Sequence, residues 1–150
     1  MKQIITALFV LVSASAFSQK QFSKHEFSVN GFRSPSIGLE YRQKNISVHA
    51  GYYITAFEKG ETTKFFKAGA TVWFLPVGKK ENPSSFYSGA SYLRGLNLNY
   101  KNENAFSVEA GFRWMVWKGL NARIGAIGVS AKGHDVKINP AGGISYSLFF

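Results

Sequence analysis

Glu40 and His49 carry the residue types best suited in this 150-residue chain to move a proton, since a carboxylate beside an imidazole can act as an acid–base pair or a relay. The same two residues also make an ordinary link in an enclosed polar network, where a buried charge without a partner costs roughly several kcal/mol. That is the reading adopted for them and for Arg42, Lys67, Glu109 and Arg113. Ser130, His134 and Asp135 supply a nucleophile, a base and an acid by type. Asp and His ahead of Pro140 are equally common turn residues, so no catalytic residue is assigned. A metal centre needs several convergent ligands. His25, His49 and His134 fall on different segments and cysteine is absent, so neither metal nor cofactor is expected. Gly133 and the Gly142-Gly143 pair are not a phosphate loop, because no βα unit surrounds them.

What must position these residues begins with an export signal. Lys2, the apolar run Ile4 to Val12 and the small residues Ser13-Ala14-Ser15-Ala16 have the order of a secretory signal peptide, too short to span a bilayer as a helix. Residues 1–18 are therefore assigned to the signal, with cleavage after Ser18 or, alternatively, Ala16, and residues 19–150 to one domain. Without cysteine the domain has neither a disulfide nor an N-terminal lipid-bearing cysteine. The net charge of +10 is scattered along the chain, not gathered into a stripe, and an exported protein rarely meets nucleic acid. Lipid headgroup phosphates are the expected counterpart.

The domain divides into eight alternating segments, at 24–32, 36–43, 46–57, 63–76, 84–97, 104–117, 120–132 and 141–150, separated by clusters of Gly, Pro, Asn and charge. Most reach the roughly 9–11 residues that a tilted strand needs to cross a bilayer. The predicted fold is all-β: an eight-stranded antiparallel up-and-down transmembrane barrel. An even strand count puts both termini on one side, the periplasm, and turns the 33–35, 58–62, 97–103 and 133–140 connections outward.

Each hairpin implies a register. The Lys44-Asn45 turn pairs Ile37 with Tyr52, Leu39 with Ala50 and Tyr41 with Val48 on one face, and Gly38 with Gly51, Glu40 with His49 and Arg42 with Ser47 on the other. The next hairpin is expected to oppose Gly51 to Gly69, and the 84–97/104–117 hairpin Gly89 to Gly111. Alternation alone does not say which face is inside. Size does: an eight-stranded interior has room only for interdigitating side chains. Inward glycines leave space for long charged residues, whereas Tyr52, Phe66, Phe74, Phe86, Phe112, Trp114 and Tyr146 would overfill it. Aromatic girdles are expected at both rims. One comprises Tyr41, Trp73, Phe74, Phe86, Tyr87, Trp114, Trp117 and Phe150, the other Tyr52, Phe57, Phe65, Phe66, Tyr92 and Phe106. The Lys118-Gly119 turn would pair Arg123 with Trp114, against the facing, unless a longer loop or a bulge intervenes.

The signal, the eight amphipathic segments and the ending Gly142-Gly143-Ile144-Ser145-Tyr146-Ser147-Leu148-Phe149-Phe150 together resemble the small outer-membrane barrels of the OmpX and OmpA-transmembrane-domain type. The Ala-Phe-Ser-Gln stretch at Ala16 to Gln19 looks like the signal ends of Bacteroidetes secreted proteins. The resemblance implies a cell outer-membrane location, contact with outer-membrane lipids and lipopolysaccharide, and recognition of Ile144, Tyr146, Leu148 and Phe150 by the barrel-assembly machinery. A monomer is expected, and the filled lumen and the lack of a catalytic constellation point to a structural or interaction role and no enzymatic activity. The alternatives are a narrow pore for small solutes, a soluble lipocalin-like carrier of an apolar ligand, and a lipid A-modifying enzyme using Ser130, His134 and Asp135.

Overall fold

The computed structural model describes residues 22–31, 36–57 and 60–150. The signal peptide expected at 1–18 and the turn at Arg33-Ser34-Pro35 lie outside the described residues. Eight strands form, β1 (His25–Gly31), β2 (Ile37–Gln43), β3 (Ile46–Thr55), β4 (Thr63–Val77), β5 (Ser84–Gly95), β6 (Asn104–Trp117), β7 (Leu120–Ala131) and β8 (Lys137–Phe149). Each pairs antiparallel with the next, and β1 pairs with β8 to close the barrel. Closure leaves no open sheet edge along the paired rows.

The shortest turns fix register most strongly. At the β2–β3 turn Lys44 takes φ 55°, and the pairs run from Ile37 with Tyr52 to Gln43 with Ile46, as the sequence predicts. Two longer connections shift the expected register by one side-chain repeat. Gly51 faces Lys67 and Gly69 faces His49, while Gly89 faces Glu109 and Gly111 faces Tyr87. Because the slip is even, every residue keeps its face. The Lys118-Gly119 turn starts from Trp117 opposite Leu120. A bulge between Met115 and Trp117 then restores the pattern, bringing Arg113 opposite Arg123 with both pointing inward.

Strand β8 starts earlier than expected, at Lys137, and contains Pro140. Proline reads as a strand breaker because it cannot donate to a ladder. Here Pro140 opposes Ala126 of β7, in a stretch of β8 that the described part of β1 does not reach.

Glycine marks where strands approach most closely. Gly111 and Gly125 oppose one another across β6 and β7. A Cβ on Gly111 would stand 2.3 Å from the Ile124 carbonyl oxygen and 2.8 Å from the Tyr87 hydroxyl. Gly111→Ala is therefore expected to cost about 1–3 kcal/mol by overpacking. A urea titration of the folded protein would register this as a lower midpoint.

Candidate functional site in the barrel interior

Alternation sends one row of each strand inward, and charge goes with it. Lys67 is 0 % exposed and Glu109 7 %, while Phe66 is 41 % and Tyr146 52 % exposed. Phe112 shares the outward row with Trp114 and packs edge-on against Phe86, ring centroids 5.0 Å apart.

Glu26 of β1 is the hub of the half of the interior nearest the chain termini. Its carboxylate takes the guanidinium of Arg42 on one oxygen and Arg113 Nη1 at 2.7 Å on the other. The Ser28 hydroxyl donates to Glu26 at 3.1 Å, lies 2.7 Å from the Ser147 hydroxyl, and so links β1 to β8. Asn121 Nδ2 extends the chain to Ser147 at 2.9 Å. Glu40 forms a second node: Arg123 Nη2 donates to it at 2.6 Å, Ser47 at 2.5 Å and Asn30 Nδ2 at 3.2 Å. Trp73 ties the nodes together. Its indole N–H donates to Ser47 at 2.8 Å, and the guanidinium carbons of Arg113, Arg123 and Arg42 lie 4.4, 4.9 and 5.7 Å from its ring. Arginine suits this arrangement, since its planar head can pair with a carboxylate and lie over an indole at once.

Farther along the axis Lys67 Nζ bonds Glu109 at 2.6 Å. Glu40 and His49 are opposed in register, yet their side chains bond elsewhere. His49 reaches Ser91 at 3.0 Å and Thr71 at 3.4 Å, while Glu40 is taken by Arg123. Each of the two is held by other partners, which is the geometry of links in a polar network and not of a poised acid–base pair.

Beyond Lys67 the interior turns apolar. Tyr53, Phe65, Leu93, Ala105, Ile127 and Val129 pack together across the barrel. The β5–β6 connection folds over them, with a 3-10 turn at Leu98–Tyr100 setting the Tyr100 ring into the mouth. Tyr100 lies 5.4 Å from both Phe57 and Phe65 and stacks on His134 at 4.3 Å. Gly95 permits this, because a Cβ there would clash with the Tyr100 carbonyl oxygen.

Three residues expected in the girdles are thus interior. Trp73, Tyr87 and Phe65 sit near strand ends, as girdle residues should, but on the inward row; Gly111 opposite Tyr87 and Gly95 opposite Phe65 make room for two of them, while Trp73 packs against the Tyr87 ring at 5.3 Å. Tyr41, Phe86, Trp114, Trp117 and Phe150 remain exposed at one end, and Tyr52, Phe66, Tyr92 and Phe106 at the other. Phe57 packs partly into the apolar cluster.

The structure does not assemble Ser130, His134 and Asp135. Ser130 faces outward opposite Phe106, His134 is stacked on Tyr100, and Asp135 is exposed; among the described residues no hydrogen bond joins them. No group of three or more His, Asp or Glu among the described residues could hold a metal ion. His25 instead lies between Tyr41 and Phe150, with ring centroids 6.1 and 5.8 Å away, at the β1–β8 seam. Ile144, Tyr146, Leu148 and Phe150 all point outward along that seam.

Sequence reasoning missed Glu26, Asn30, Trp73 and Asn121 as members of the network. The signal for Glu26 was present: Glu26, Ser28 and Asn30 alternate with Phe27 and Val29. The chain matches no protein-family model, no curated protein and no solved structure. Its fold is a small closed barrel of eight antiparallel strands, with no α-helix among the described residues.

Proposed function

We propose that this protein is a small integral outer-membrane barrel with a filled polar and apolar interior, acting structurally or as an interaction partner in the membrane and not as an enzyme. One observation carries the reading: the outward rows form a belt that is uncharged between the rims. Val29, Leu39, Val48, Val108, Ile124 and Ile144 are representative, each more than half exposed. Outward charge among the strand residues is confined to Lys64 and Arg94, at the ends of β4 and β5. The ten residues of β3 rise about 25 Å at about 3.3 Å each with a tilt near 40°. That matches the height of the apolar band of transmembrane barrels, about 25 Å. In water such a belt would far exceed the apolar patches that monomers leave exposed. Hydrocarbon is the solvent it fits.

The test is membrane fractionation with gel mobility. The protein should resist carbonate and salt, enter detergent, and migrate differently before and after boiling. Release by carbonate would contradict the proposal. Planar-bilayer recordings address the pore alternative, and silence is expected, since Tyr100, Phe65 and Tyr53 fill one end of the interior.

A further inference from the structure

We propose that the terminus-side half of the interior binds a small monovalent inorganic anion between Arg42, Arg113 and Arg123. The proposal depends on the enclosed interior and not on the membrane assignment.

Charge is the first argument. These three guanidiniums share two carboxylates, Glu26 and Glu40, leaving one positive charge in that cluster without a counter-charge among the described residues. Lys67 and Glu109 balance each other farther along and do not relieve it. A buried lysine or histidine could shed its proton, but a guanidinium stays charged. The Trp73 ring attracts the three cations without neutralising any of them.

Hydrogen bonding is the second. Arg42 Nε and Nη1, Arg113 Nε and Nη2 and Arg123 Nε are buried and have no acceptor among the described residues. Arg42 and Arg113 are among the most completely enclosed side chains in the molecule. The two heads meet on opposite oxygens of Glu26, so their remaining N–H groups belong to one neighbourhood. Water could satisfy those N–H groups, but only an anion also answers the charge. A halide-sized ion has the required acceptor capacity and no geometric demand.

Access is the third. At the end where the termini meet, a cavity of about 430 Å³ is lined by Phe22, Lys24, Glu81, Asn82 and the Phe149-Phe150 pair. The Phe22 ring lies 4.5 Å from the Arg42 guanidinium, so this one side chain stands between the vestibule and the arginine cluster.

Trp73 reports on the site directly. Trp114 and Trp117 are the other two tryptophans and are exposed on the outer surface, so Trp114→Phe with Trp117→Phe leaves Trp73 as the sole indole. In a non-ionic detergent, on protein first shown to be folded by its gel shift, iodide should quench Trp73 saturably and at least about tenfold more effectively than caesium. Chloride should compete. Arg113→Gln leaves Arg42 paired with Glu26 and Arg123 with Glu40, and should abolish the saturable component. Equal quenching by iodide and caesium, quenching by acrylamide alone, or iodide quenching unchanged in Arg113→Gln would overturn the proposal. Should Arg113→Gln not fold, the iodide, caesium and chloride comparison on the single-tryptophan protein decides by itself. A barrel that proves soluble without detergent refutes the membrane reading and leaves this test intact.

Discussion

Glu26→Ala is expected to be the most damaging single charge deletion in the barrel, lowering stability by at least about 3–5 kcal/mol, the cost of stranding a buried ion-pair partner. Two cations lose their counter-charge at once, because Arg42 and Arg113 occupy the two oxygens of the same carboxylate. The Ser28–Ser147 link between β1 and β8 also loses its acceptor, and that seam is what closes the barrel. Glu26→Gln, which keeps the shape and one acceptor oxygen, should recover only a minor part of the loss, since the deficit is one of charge. Urea titration of refolded protein, followed by the gel shift on boiling, measures both variants. A loss below about 1 kcal/mol for Glu26→Ala would mean that water carries the charge of the cluster and that the interior is wetter than the packing indicates.

The second large effect concerns the outer surface. Ala90 faces outward near the middle of β5, opposite Ala70 on one side and Val108 on the other. Ala90→Arg should cost about 2–4 kcal/mol in a bilayer, and Asn104→Arg, beside the rim residue Arg94, only about 0–1. A soluble barrel would show neither the cost nor its dependence on depth, because an arginine replacing an exposed alanine in water is nearly neutral. Measuring both variants in lipid vesicles by denaturant titration separates the two cases.

Much of this architecture is legible in the residues, and the exceptions have physical causes. The two-residue turn at Lys44-Asn45 leaves one way to pair β2 with β3, and that register holds at every pair from Ile37 with Tyr52 to Gln43 with Ile46. Connections such as 56–62 or 96–103 do not constrain the chain so tightly, and apolar alternation is unchanged by an even slip. Faces were therefore readable where partners were not: Gly69 was expected opposite Gly51 and lies opposite His49. Trp73, Tyr87 and Phe65 show two rules in conflict, nearness to a strand end and parity along the strand. Parity prevails, because in a closed sheet it alone decides whether a side chain points to the axis.

The interior network was partly visible. Arg42, Lys67, Glu109 and Arg113 follow from facing alone, but their partners lie on strands distant in sequence, as with Arg123 and Glu40, eighty-three positions apart. Such pairs depend on closure and shear. The inward facing of Glu26 is legible in its alternation with Phe27 and Val29, but its role as hub is not, because Arg113 reaches it from β6 across the barrel; Tyr100 escaped because a loop residue's entry into a barrel mouth is a tertiary event. Arg123 was legible only as a contradiction, which the bulge at Met115/Trp117 resolves.

The central claim is that the uncharged outward row meets hydrocarbon. Since the chain has no cysteine, a single one can be placed at will for spin labelling in vesicles. Ala90→Cys on the outward row should give a label readily reached by dissolved oxygen and shielded from a water-soluble nickel chelate, whereas Lys79→Cys beyond the strands should show the reverse. A label at position 90 that the nickel chelate reaches as freely as one at position 79 would contradict the account.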